Sequence, residues 1–136
     1  MSDDLWSKLA APFPAESVSW RVGSVNAQSK RGMALAYIDA RDVMNRLDLF
    51  CGSDGWQCKY SHVGSKTVCD IGIRVLRPVG GIADELEAEW VWKADGAGDS
   101  DVEAEKGALS DAFKRAAVRW GIGRYLYMLE SPWVEI

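Results

Sequence analysis

The sequence predicts an α+β fold. Its core is an antiparallel β-meander followed by a long helix, a β-β-β-α unit, with a strand and a helix ahead of it. Three segments show period-two alternation: Trp56, Cys58, Tyr60 and His62; then Cys69, Ile71, Ile73 and Val75; then Leu86, Ala88, Trp90 and Trp92. That is the pattern of antiparallel strands with one face buried. A later segment, Leu109, Ala112, Phe113, Ala116 and Trp120, has the three-four spacing of a helix with one buried stripe. With 136 residues and 48% hydrophobic content, the chain suits one domain around one core.

The elements follow in order. Ser2 is placed to cap a short helix carrying Leu5, Trp6 and Leu9, with Asp3 and Asp4 at its positive end and Pro12 and Pro14 stopping it. Val18, Trp20 and Val22 alternate with Ser19 and Arg21, which predicts a strand. Residues 23–32 read as a polar loop ending in Lys30 and Arg31, and residues 33–37 as a second short strand. From Asp39 a helix turns Ala40, Val43, Leu47 and Phe50 inward, and Cys51-Gly52 stops it with glycine in a left-handed cap. The three meander strands come next, linked at Gly64 and at the Pro78-Val79-Gly80-Gly81 turn. Ser100 and Glu103 form a capping-box pattern opening the last helix, which Gly121 and Gly123 end after roughly 17 residues, about 26 Å.

Composition excludes several classes. Cys51, Cys58 and Cys69 make an odd number without a CxxC pair, and His62 is the only histidine. A zinc site or disulfide framework is therefore not expected, and a reducing cytoplasm is the natural setting. No apolar run reaches membrane-spanning length, and the acidic N-terminus reads as mature rather than as a signal peptide. Asp95, Asp99, Asp101 and Glu103 miss the spacing of a calcium loop and read as a surface loop. His62 has no nucleophile motif beside it and reads as structural or exposed. No phosphate-binding glycine loop, hydrolase elbow or nuclease-like acid cluster is visible. The expectation is a protein without catalytic residues, metal or cofactor.

Charge is unevenly spread. The formal net charge is −4, yet residues 106–127 hold five cations (Lys106, Lys114, Arg115, Arg119, Arg124) against Asp111 alone. Residues 78–105 hold nine acids against Lys93. The basic stretch also contains Phe113, Trp120, Tyr125 and Tyr127, and cations interleaved with aromatics suit a single-stranded nucleic acid. On charge pattern alone, Lys114, Arg115 and Arg119 read more plainly as the solvated side of an amphipathic helix, with phosphate contact as the alternative. Trp56, Tyr60, Trp90 and Trp92 read as core packing rather than base-stacking groups. Tyr37, Tyr125 and Tyr127 suit either role.

The motif SDAFKRAAVRWGIGRYLY, residues 110–127, resembles the helix signature of the Rad-fifty-two family of single-strand annealing proteins, most closely its short bacteriophage and prophage branch. The resemblance extends through AYIDARDVMNRLDLFCGSDGW, residues 36–56, and the Trp20-Arg21 strand, so it covers roughly residues 18–129. It implies a single DNA-annealing domain over residues 1–136, with an N-terminal helical arm (1–17), a family-like core (18–129) and a short C-terminal tail (130–136). It also implies ATP-independent binding of single-stranded DNA, pairing of complementary strands in recombination and repair, and assembly into an oligomeric ring. A phage exonuclease or a single-strand-binding protein is the implied protein partner. Lys114 and Arg115 match the family's Lys-Arg pair lining an inner DNA groove, with Arg119 displaced by one position from the family's next cation. Arg21, with the loop cations Lys30 and Arg31, falls at a second, outer contact. Lys106 and Tyr37 complete the expected DNA-binding set. The partner recruitment that eukaryotic members carry on a long tail is not expected of these 136 residues.

Overall fold

Alternating side chains and glycine-marked turns give two antiparallel sheets in the computed structural model, which describes residues 3–80, 82–97 and 102–135. In chain order the elements are α1 (Asp3–Ala10), a 3-10 turn (Ala15–Ser17), β1 (Ser19–Asn26), β2 (Arg31–Tyr37), α2 (Ala40–Cys51), β3 (Trp56–Val63), β4 (Lys66–Val79), β5 (Ile82–Gly96), α3 (Val102–Arg119), a second 3-10 turn (Arg124–Met128) and β6 (Trp133–Glu135). One sheet has the order β3-β4-β5 and the other β1-β2-β6. Ser2 and Ser100, expected as helix caps, lie outside the described residues, as do Asp99 and Asp101.

Residues facing each other across the meander define its two sides. Trp56 pairs with Ile73 and Ile73 with Val91, while Cys58 pairs with Ile71 and Ile71 with Lys93. This side carries the buried Cys69, Ile71, Ile73 and Val75 and is covered by α3, which supplies Ala112, Phe113, Ala116, Ala117 and Trp120. The three alanines let the helix approach β4 closely. The Trp120 indole, 1% exposed, donates to the Ile71 carbonyl at 3.0 Å and stacks on Trp6 at 5.1 Å, which ties α1 to the core.

That register corrects the reading of β5. Trp90 and Trp92 were expected in the core; they lie on the opposite face, opposite Arg74 and Gly72, and are 37% and 36% exposed. The inward position beside them belongs to Val91 and Lys93. Lys93 threads its aliphatic stem inward, with its ammonium 4.9 Å from the Trp6 ring and 4.7 Å from the Trp120 ring. Both parities of β5 carry apolar groups, so alternation alone could not choose the face. A Cβ at Gly72 would meet the Trp92 ring at 2.8 Å, so the glycine gives that indole its place on the sheet. Trp56 does pack inward, with its ring 5.9 Å from Phe113, whereas Tyr60 and His62 are exposed near the end of β3.

Other expectations need smaller corrections. Residues 23–32 form no loop: β1 runs on to Asn26, a bulge lies between Val22 and Val25, and β2 starts at Arg31. Asn26 makes the turn by accepting hydrogen bonds from the backbone N–H groups of Gln28 and Ser29 at 3.1 and 3.2 Å, and Lys30 adopts φ 55°. As an edge strand, β1 leaves Trp20 and Val22 exposed. Within the expected tail, residues 133–135 form β6, which pairs with β2. Leu109 keeps its angular place on the α3 stripe but is 55% exposed, because the stripe outruns its cover. α2 starts as expected, with a reciprocal capping box between Asp39 and Asp42, but Gly52 adopts φ 82° and ψ 153°, outside the left-handed helical region. α3 ends in a Schellman pattern: Ile122 N–H bonds to the Ala117 carbonyl at 3.0 Å, Gly121 N–H to that of Val118 at 2.9 Å, and Gly121 takes φ 92°.

Candidate nucleic-acid interface

A groove forms where the β1–β2 hairpin meets α3. The hairpin register sets Ser19 opposite Tyr37 and Arg21 opposite Leu35, so Arg21 and Tyr37 are diagonal neighbours on one sheet face. On α3 the alanine-rich side is buried, which turns Lys114 and Arg115 towards that face. The Lys114 ammonium lies 5.6 Å from the Tyr37 ring centroid and the Arg21 guanidinium 6.0 Å from it. Arg115 pairs with Asp111 one turn back, at 3.2 Å. Two cations thus face one half-buried phenol, and Arg115 stands at the same groove with Asp111 offsetting its charge.

Beneath this rim is a hollow of about 230 Å³. Leu35, Ile38, Val43, Val118, Ile122 and Leu126 give it an apolar floor, and Arg21, Tyr37, Lys114, Arg115 and Tyr127 edge it. Cations for phosphates beside an apolar, aromatic surface can hold an extended strand by backbone charge and ring contact.

Four of the eight expected residues thus come together: Arg21, Tyr37, Lys114 and Arg115. Arg31 is four residues along β2 from Leu35, roughly 13 Å at strand rise, and its guanidinium donates to the Trp133 carbonyl at 2.9 Å. Lys30 sits in the hairpin turn beside it. Arg119 points into a separate open cleft, where it meets Asp95 of β5 at 3.3 Å beside Lys93 and Arg124. Lys106 lies on α3, and its side chain is outside the described residues.

The tyrosines left open by the sequence divide cleanly. Tyr125 is structural: its hydroxyl accepts a hydrogen bond from Phe13 N–H at 2.9 Å. Tyr127 lies at the groove and is 74% exposed. Arg124 is structural as well, donating to the Val118 and Arg119 carbonyls at the end of α3. Sequence reasoning missed the apolar floor because its residues come from β2, α2, α3 and the turn after it, and no local pattern joins them. Among the described residues no cluster of His, Cys, Asp or Glu could hold a metal, and no helix is long and apolar enough to cross a membrane.

The profile of the Rad52/22 family of double-strand break repair proteins matches residues 2–135. A protein of Deinococcus radiodurans named single-stranded DNA-binding protein DdrA is 39% identical over 132 residues, covering 97% of this chain and 59% of that relative. The protein of the same name from Deinococcus deserti is 39% identical over 131 residues, covering 96% and 60%. The chain therefore spans about three-fifths of the length of the curated relatives it matches.

Proposed function

The chain belongs to the Rad52/22 family of double-strand break repair proteins, and from that premise we propose that it binds single-stranded DNA along the β1–β2/α3 groove and anneals complementary strands without ATP. One observation carries the reading: Arg21, Tyr37, Lys114 and Arg115, far apart in sequence, edge a single hollow. The name of the two DdrA relatives, single-stranded DNA-binding protein, supports the same ligand.

Cations at the rim hold phosphates and leave base edges free, so a second strand can test its pairing directly. Duplex formation is downhill, and the protein need only hold one strand extended. The test uses two complementary oligonucleotides, one with a fluorophore and one with a quencher, with and without nucleotide and magnesium. Accelerated pairing without ATP is the expected result. Binding of both strands with slower pairing would make the protein a passive single-strand binder and overturn annealing.

Assembly is part of the proposal. The outer face of β3-β4-β5 exposes Trp90, Trp92 and Leu86, with the two indoles 6.3 Å apart, and exposed apolar surface of this kind suits contact with another protein surface. Exposed Glu85 and Glu87 on β5 complement the basic groove of another copy. A second copy is the occupant we assign, and a ring is the assembly that the family resemblance implies. Light scattering should give a mass several times 15.0 kDa, reduced by Trp90→Glu with Leu86→Glu. A monomer at micromolar concentration, unchanged by oligonucleotide, would refute it. A bacteriophage origin, with a phage exonuclease or single-strand-binding protein as partner, rests on the resemblance of residues 110–127 alone; both relatives named above are from Deinococcus.

A further inference from the structure

The groove offers more than phosphate contacts. Its cations stand on the rim, whereas Leu35, Ile38, Val118 and Leu126 floor it, and an apolar floor adds nothing to holding a phosphate. At about 230 Å³, the hollow is smaller than the roughly 300–1,000 Å³ of a drug-sized site and suits one flat ring system. Two tyrosines edge it: Tyr37, with Arg21 and Lys114 already near its ring, and Tyr127. Tyr127 is 74% exposed although it is a large aromatic, and it stands on the short turn Arg124–Met128. That turn is pinned to the end of α3 by the Arg124 guanidinium, which donates to the Val118 carbonyl at 2.8 Å and the Arg119 carbonyl at 3.1 Å. Tyr125, two residues earlier, is occupied by its bond to Phe13, so the two rings of this turn have separate tasks.

We propose that Tyr127 is a stacking platform: one nucleobase of the bound single strand lies face-on against its ring, over the apolar hollow, while Arg21, Lys114 and Arg115 hold the flanking phosphates. This rests on the groove being the single-strand site. A stacked base gives up its π-face and keeps its Watson–Crick edge, so the contact adds affinity without hiding the edge that a complementary strand reads. Every base has such a face, so the contact adds no sequence preference.

The experiment measures anisotropy for an oligo-dT and for an abasic oligonucleotide of equal length, which keeps the phosphates and lacks the bases. Both are tested with the wild-type chain, Tyr127→Ala and Tyr127→Trp. Wild type should bind oligo-dT at least about fivefold tighter than the abasic strand, Tyr127→Ala should lose most of that difference and leave abasic binding unchanged, and Tyr127→Trp should restore it. If Tyr127→Ala binds both strands as wild type does, or weakens both equally, stacking is overturned while single-strand binding stands. If wild type binds neither strand, the functional reading itself falls and this inference with it.

Discussion

Replacing both Lys114 and Arg115 with alanine tests the groove most directly, because the structure fixes what the change removes and what it spares. Both side chains lie off the buried side of α3, which holds Ala112, Phe113, Ala116, Ala117 and Trp120. The stability at stake is small. An exposed pair spaced as Arg115 and Asp111 are contributes about 0.3–0.5 kcal/mol, and an ammonium over a ring, as Lys114 over Tyr37 at 5.6 Å, about 0.5–1 kcal/mol. The loss should therefore be about 1 kcal/mol, a few degrees in Tm for a chain of this size. The binding effect is larger and has a signature. Each phosphate neutralised on a single strand contributes about 0.7 to the slope of log affinity against log salt, so two lost contacts flatten that slope by about 1.4. Between 50 and 200 mM salt the variant should then lose roughly sevenfold less of its affinity than wild type does, starting from a weaker value. Anisotropy with a labelled oligo-dT across that range reads both quantities. Arg119→Ala, whose guanidinium faces Asp95, should change the slope less. Wild-type affinity and slope in the double variant, with its helical circular dichroism intact, would refute the groove assignment. Loss of the helical signal would refute the claim that these side chains lie outside the core.

Three further outcomes follow from the packing. Trp120→Ala should destabilise the chain by about 3–5 kcal/mol in urea titration, a large part of the about 5–15 kcal/mol available to a domain; Trp120→Phe should cost less yet still leave the Ile71 carbonyl without its 3.0 Å donor. Gly121→Ala should cost about 1–2 kcal/mol, measured the same way, because φ 92° lies where a Cβ is strained. The third outcome concerns alkaline pH. Burial, the largest cause, pushes the Cys69 thiol from its ordinary value near 9 up to about 12. The folded state therefore holds this proton more tightly than the unfolded chain does. The resulting stability is fully present below about pH 9 and is lost as pH rises towards 12. The buried thiol should also resist alkylation until the chain unfolds, and Cys69→Val should flatten the alkaline arm of the stability profile.

How much of this was legible follows from what local pattern can encode. The three meander strands, α2 with its Asp39 cap and the helix from Leu109 to Trp120 were readable, because periodicity and capping residues are properties of short windows. The face of β5 was not. Trp90, Val91 and Trp92 put apolar groups on both sides of the strand, and the choice fell to Lys93, whose stem and ammonium suit the Trp6–Trp120 pair. Continuation of β1 into the hairpin was hidden by its polar, glycine-containing sequence, and β6 by its three-residue length. The candidate site was half legible. Charge and resemblance marked Arg21, Lys114 and Arg115, but that Tyr37 stands between Arg21 and Lys114 while Arg31 and Arg119 turn elsewhere depends on a β-register and a helix rotation.

The same geometry makes the proposed binding of a polyanion compatible with a net charge of −4. Overall charge governs solubility and long-range approach, but at physiological ionic strength a charge is felt over about 8 Å. Around the groove the fold gathers Arg21, Lys114 and Arg115, with Asp111 as the acid beside them on α3. The acids of β5 belong to another face: Asp95 faces Arg119 in the second cleft, and Glu89 pairs with Arg77 on the meander. Sign separation that looks linear in the sequence, acidic before basic, becomes angular in the fold. Adding acids to β5 should therefore affect contact between copies before it affects strand binding, whereas one acid introduced at Val118, on the hollow's floor, should oppose the strand at once.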